Sequence, residues 1–175
     1  MQIENFKSIS STNQKAKEMS SLGVAPWTVV VSDVQENGYG RKGESWYSPL
    51  GGLYFSIILP HGNIDDLQII TILAAFIVAK TIKEFFNVEP LIKLPNDVLL
   101  NGKKVCGILT ENVIGSDVKL SVIGIGINTN TESFPLELKD IATSLKIELG
   151  HEVDNKELLE KIINELKNQF KTISE

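Results

Sequence analysis

This 175-residue chain has one cysteine, Cys106, two histidines and two methionines. A lone cysteine cannot form an intrachain disulfide framework and fits a reducing compartment. The histidines, His61 and His151, stand beside turns with no Cys, His or Asp spacing of a metal site. Positive charge is short as well: 17 Lys and Arg against 22 Asp and Glu give a formal net charge of −5. A general nucleic-acid binder needs the opposite balance to neutralise phosphates, so any anion held here must be held by a local cluster of cations. No apolar run reaches membrane-spanning length; the longest covers residues 69–79 and fits a buried helix. The opening MQIENFKS has no apolar core of a signal peptide. A soluble intracellular protein with a single globular domain over residues 1–175 is expected.

What is abundant is glycine, 13 residues, concentrated where the chemistry is. Residues 35–56, QENGYGRKGESWYSPLGGLYFS, place closely spaced glycines, two cations and a Trp between two strand-like runs. The segment is too polar for core and too long for a plain hairpin turn, which suggests a covering loop and a return strand. Gly38-Tyr39-Gly40-Arg41-Lys42-Gly43 spells a dinucleotide fingerprint, but that fold needs a helix to open there, and no helical stripe follows. A kinase glycine loop is excluded by the missing catalytic-loop and metal-binding motifs. The remaining chemistry is backbone N–H approach to an anion, aided by Arg41 and Lys42. The glycines alone fit a solvated surface loop equally well. Trp46 either pins the loop to the core or offers a flat face to a ring.

The rest of the chain supplies strands and helices in mixed order. Strands are expected at 3–9, 27–34, 52–59, 90–94, 97–100, 104–113 and 119–127, with an Asn101-Gly102 hairpin turn and a second turn at 115–117. Helices are expected at 13–21, capped by Ser11 or Thr12, at 65–86, at 136–149 and at 155–173. This is an α+β fold with a mixed, mostly antiparallel sheet and helices packed on it. Strict alternation puts Lys104 and Cys106 on one face of their strand, and Lys103, Val105 and Gly107 on the other. Gly107 suggests close approach of a ligand or backbone. Gly124 and Gly126 share a face and leave a groove, ending at Asn128, a turn residue or a partner for a heterocycle edge. No nucleophile with a nearby base stands out, so the site is expected to bind and polarise anions.

Five ordered stretches, Ser11-Thr12-Asn13, 35–52, 93–97, 102–111 and 124–128, together resemble the catalytic domain of biotin–protein ligases. The resemblance also takes in Ala142-Thr143-Ser144-Leu145 and residues 152–154. It implies an ATP-dependent ligase: the carboxylate of biotin attacks the α-phosphate of Mg-ATP, giving biotinyl-5′-AMP, and a lysine of a biotin carboxyl carrier protein then takes the biotin. It implies Lys104 at the carboxylate and α-phosphate, with Arg41 holding phosphate as the loop closes. Ser11, Thr12, Asn13, Gln35, Gly38, Tyr39, Gly40, Lys104 and Gly107 would contact biotin. Arg41, Trp46, Asn128 and Lys104 would contact ATP or the adenylate. ATP and Mg²⁺ are the implied cofactors; no metal ligands are named. The implied setting is cytoplasmic, as a homodimer without membrane partners; no N-terminal helix-turn-helix is expected, so no DNA partner is either, and the family's usual small C-terminal β domain is not expected. Tyr39, Leu94 and Glu44 depart from the family's usual Arg, Trp and basic residue. The alternatives are a lipoate or octanoate ligase or transferase of the same fold, and a biotin or adenylate binder without catalysis.

Overall fold

A computed structural model describes residues 2–60, 67–113 and 120–174, with the side chains of 171–174 left aside. Seven strands form one sheet: β1 (Ile3–Phe6), β2 (Val29–Ser32), β3 (Leu53–Pro60), β4 (Leu91–Lys93), β5 (Asp97–Leu100), β6 (Lys103–Asn112) and β7 (Leu120–Ile127). Their order is β1-β2-β3-β7-β6-β5-β4. Among these described strands, β1 and β2 pair in parallel and the other neighbours are antiparallel. The expected mixed, mostly antiparallel α+β sheet is therefore what forms.

Alternation sorts the strands between two layers. One face carries Phe55, Ile57, Ile123, Ile125, Cys106 and Ile108 into the main core, which α2 (Leu67–Phe86) and α4 (Asn155–Ser174) cover. Both helices present apolar residues at three- and four-residue steps, such as Leu158, Ile162 and Leu166, all fully buried. The other face is covered by α1 (Thr12–Ser21), whose Ala16 packs with Val30, Ile58 and Val122 in a smaller cluster. Ser11 caps α1 by accepting from the Gln14 N–H.

Several boundaries move for physical reasons. β2 begins at Val29 because Trp27 adopts φ 67°, which breaks an extended run. The expected helix at 136–149 reduces to α3 (Leu145–Leu149). Residues 141–143 instead hydrogen-bond to β6, Lys104 N to Ile141 O at 2.8 Å and Thr143 N to Lys104 O at 3.0 Å. They occupy the lane that β7 leaves free after Ile127, and Leu136 and Ile141 stay exposed. The start of the helix expected at 65, the turn at 115–117 and His61 lie outside the described residues. Among the described residues, no helix is long and apolar enough to cross a membrane.

Candidate active site

The α1 face of the sheet has a strip without side chains. Gly124 and Gly126 on β7 pair with Leu109 and Gly107 on β6, and with Ser56 and Tyr54 on β3. Three glycines in neighbouring lanes leave a trough, and other parts of the chain lie in it. The Asn13 carboxamide fills the space above Gly124, where a Cβ would collide with its Oδ1. The Trp46 indole lies above Gly126 and Gly107, where added Cβ atoms would come to 2.5 Å from Nε1 and 2.9 Å from Cζ3. The Trp46 Nε1 is buried and has no hydrogen-bond partner among the described residues. A cavity of about 330 Å³ opens along this strip.

At the α1 end the cavity is polar. Thr12 donates to Gln35 Oε1 through its backbone N at 2.8 Å and its hydroxyl at 3.0 Å. Gln35 Nε2 donates to Ser48 Oγ at 2.9 Å. Ser56 Oγ lies 2.6 Å from Asn13 Oδ1 and 2.8 Å from Thr12 Oγ1. These side chains are buried or nearly so, and the row is acceptor-rich. Ser56 and Thr12 own two hydroxyl protons between them, whereas the three oxygen–oxygen contacts just given need one proton each.

Behind the row, Asn13 Nδ2 and the Tyr39 hydroxyl both donate to Glu111 Oε2, at 2.8 and 2.9 Å. Lys17 Nζ meets Glu111 Oε1 at 2.8 Å. Burial works to raise the Glu111 pKa, but the bonds from Lys17, Asn13 and Tyr39 outweigh it and hold the carboxyl below its ordinary value. Burial works to lower that of Lys17, and the bonds to Glu111 and Tyr39 hold it raised.

Cations gather beyond the indole. Lys104 Nζ pairs with Asp97 Oδ1 at 2.7 Å and stands 5.1 Å from the Trp46 ring centroid. The face of Lys104 differs from the one alternation assigns. Val98 pairs with Cys106 and Leu99 with Lys104, so Val105 is an extra residue, a β-bulge. The bulge lets Val105 and Cys106 both enter the core while Lys104 turns to the cavity beside Gly107. Burial pushes the Cys106 thiol well up, far from thiolate chemistry. Arg41 reaches from the loop to Asn96 Oδ1 at 3.4 Å.

The loop folds back on itself, through a Tyr39–Ser45 bridge, Trp46 N to Gly38 O at 2.8 Å, and a single 3₁₀ turn at Arg41–Gly43. Ser11, Thr12, Asn13, Gln35, Tyr39, Gly40, Arg41, Trp46, Lys104 and Gly107 all line the cavity, as do Glu44 and Leu94. Gly38 and Asn128 do not. A Cβ on Gly38 would sit 2.7 Å from Ser48 Oγ, so it is a packing glycine. Asn128 is buried and spends its Nδ2 on the carbonyls of Thr143 at 3.0 Å and Lys104 at 3.4 Å, clamping the backbone under Lys104. Sequence reasoning missed Ser56, Ser48, Lys17 and the role of Glu111. Ser56, a lone hydroxyl in the apolar run 53–59, was the available signal. Among the described residues, no group of three or more His, Cys, Asp or Glu could hold a metal ion.

With this geometry in place, comparison with known proteins is decisive. The sequence model of the Biotin/lipoate A/B protein ligase family matches residues 5–128. The chain belongs to this family. Its curated relatives include the bifunctional ligase/repressor BirA of Bacillus spizizenii, 42% identical over 89% of this chain and 49% of that one. Another is the biotin–[acetyl-CoA-carboxylase] ligase of Paracoccus denitrificans, 33% identical over 86% of this chain and 65% of that one. The chain thus spans about half the length of the Bacillus relative. Among solved family structures, the Aquifex aeolicus biotin protein ligase in complex with biotin and ATP matches with a TM-score of 0.89 and 35% identity, covering 99% of this chain and 72% of that one. A P. falciparum protein in complex with lipoate matches at 12% identity and a TM-score of 0.61, a likeness of fold alone.

Proposed function

We propose that this chain is a single catalytic domain, over residues 1–175, of an ATP-dependent biotin–protein ligase. One observation carries the reading: a glycine-floored trough joins an acceptor-rich polar row to a lysine held by a carboxylate. A ureido ring supplies the N–H donors that the Thr12–Ser56–Asn13–Gln35 row is short of. A thiophane ring and valeryl chain suit the apolar wall that Trp46 and Leu109 give the cavity beside the glycine strip. The carboxylate of biotin then comes to Lys104.

The chemistry follows from charge. A carboxylate oxygen of biotin attacks the α-phosphorus of ATP, the bond from that phosphorus to the bridging oxygen breaks, and pyrophosphate leaves. Two anions must approach, and the ammonium of Lys104 weakens their repulsion as it exchanges Asp97 for substrate oxygens. Arg41, at the rim beside Asn96, holds phosphate as the loop settles. Mg²⁺ enters with ATP as part of the substrate. In the second step the amine of a carrier lysine attacks the acyl carbon, the acyl–oxygen bond breaks, AMP leaves and the nitrogen gives up a proton. The covering loop shields the mixed anhydride from water. The acceptor is a biotin carboxyl carrier protein, the setting is cytoplasmic, and two copies join through a sheet edge, which light scattering will test. Calorimetry separates this reading from its lipoate rival: biotin should bind and lipoate should not. Lipoate binding without a biotin signal would reject it.

A further inference from the structure

Glu111 lies outside the cavity's lining, yet three side chains from two separate segments converge on its carboxylate. Asn13 and Lys17 come from α1, and Tyr39 comes from the loop. An ionised carboxylate only accepts. Asn13 must therefore present its NH₂ to Glu111, which turns its carbonyl toward Ser56, 2.6 Å away, and the polar row. Gly124, lacking a Cβ, leaves room for that orientation and no side chain to oppose it.

The same carboxylate fixes the loop. The Tyr39 hydroxyl gives its proton to Glu111 Oε2 and accepts from Lys17 Nζ at 3.2 Å. Tyr39 bridges to Ser45, and Trp46 N donates to Gly38 O, so seating residue 39 also seats the indole over the trough. Tyr39 stands where the resemblance expects Arg, and an Arg there would bring a second cation beside Lys17.

We propose that Glu111 is a positioning residue that sets the acceptor side of Asn13 toward the bound head group and seats the loop over it, coupling head-site occupancy to loop closure. The identity of that head group as biotin's ureido ring rests on the function proposed above. Glu111→Gln keeps the shape but must present an NH₂ to Lys17 or to the Asn13 and Tyr39 donors. Tyr39→Phe removes only the tie to the loop. Calorimetry with biotin and with ATP, and hydrogen exchange over residues 37–46, are measured on the wild type, both single variants and the double variant.

Biotin affinity should fall about tenfold or more in Glu111→Gln and roughly threefold in Tyr39→Phe. The double variant should be no more than about twofold weaker than Glu111→Gln, since one carboxylate carries both effects. ATP affinity should change less than about threefold, and loop exchange should quicken in both single variants. The proposal is overturned if Glu111→Gln binds biotin within about twofold of wild type, if the two changes multiply independently, or if biotin and ATP affinities fall together with loop exchange unchanged. Should the wild type bind no biotin, the functional reading falls, and loop exchange without ligand still decides whether Glu111 seats the loop: faster in each single variant and no faster in the double upholds that seating, unchanged exchange overturns the proposal. If Glu111→Gln does not fold, Lys17→Met combined with Tyr39→Phe takes its place with the same readouts and the same criterion of non-additivity.

Discussion

Adding one methyl group at Gly124 or at Gly107 tests how the trough is built, because the same chemical change meets different neighbours. In Gly124→Ala the new carbon falls on Asn13 Oδ1, inside contact distance. Asn13 is short, buried and held on both sides, so its carboxamide must leave, breaking the bonds to Ser56 and Glu111. A neutral bond is worth about 1 kcal/mol and one to a charged group about 1.5–3. Against these stands about 0.8 kcal/mol for the buried methyl. The net loss is on the order of 2–3 kcal/mol, a fall in Tm of roughly 4–12 °C for a chain of this size. Biotin affinity should fall with it, since the polar row loses a member. In Gly107→Ala the neighbours are the rim of the Trp46 ring at 2.9 Å and the Lys104 Cε at 3.2 Å, wider contacts than the one Gly124→Ala makes with Asn13. Its Tm should stay within about 3 °C of wild type while ligation slows. Calorimetric melting and biotin titration of both variants settle the matter. Gly124→Ala with wild-type Tm and affinity, or Gly107→Ala with the larger loss of Tm, would refute the geometry.

Asp97→Ala should slow biotin-dependent pyrophosphate–ATP exchange about tenfold while biotin affinity stays near wild type, because Lys104 loses the partner that aims it. Cys106, fully buried with its thiol pushed up in pKa, should react with thiol reagents only as fast as the protein unfolds, which a denaturant series of labelling rates checks. The lowered carboxyl of Glu111 stabilises the fold above its unfolded value of about 4.3 and loses that contribution as pH falls through its lower folded value. The raised ammonium of Lys17 works oppositely, stabilising below about 10.4 and failing as pH rises through its higher folded value. The excess Tm of wild type over Glu111→Gln should therefore be flat from about pH 6 to 9 and shrink below about pH 4. An excess that grew in acid would contradict it.

Much of this was legible in the chain. The Asn101-Gly102 turn, the β-branched runs and the α4 stripe gave the elements nearly in place, since each is set by local periodicity or turn chemistry. Ser11 as helix cap and the covering loop were legible for the same reason. The face of Lys104 was not, because a single bulged residue, Val105, reverses alternation, and nothing local marks it. Nor was the fate of 136–149, where pairing with a vacated lane of the sheet outweighs an apolar pattern. Ser56 and Glu111 were hidden in strands and acquire a role only when α1 is laid across them, and Asn128 proved a backbone clamp. Contacts between segments some 40 to 100 residues apart leave little trace in local pattern.

The central claim is that Lys104, at the cation end of the trough, drives adenylation and so carrier biotinylation. Transfer of labelled biotin to a biotin carrier domain, with ATP and Mg²⁺, tests it most directly when run on wild type and Lys104→Ala side by side. The wild type should label the carrier and form biotinyl-5′-AMP. Lys104→Ala should keep its Tm yet slow adenylation by about a hundredfold or more. Biotin bound by the wild type with neither adenylate nor labelled carrier formed, or unchanged turnover in Lys104→Ala, would contradict the account.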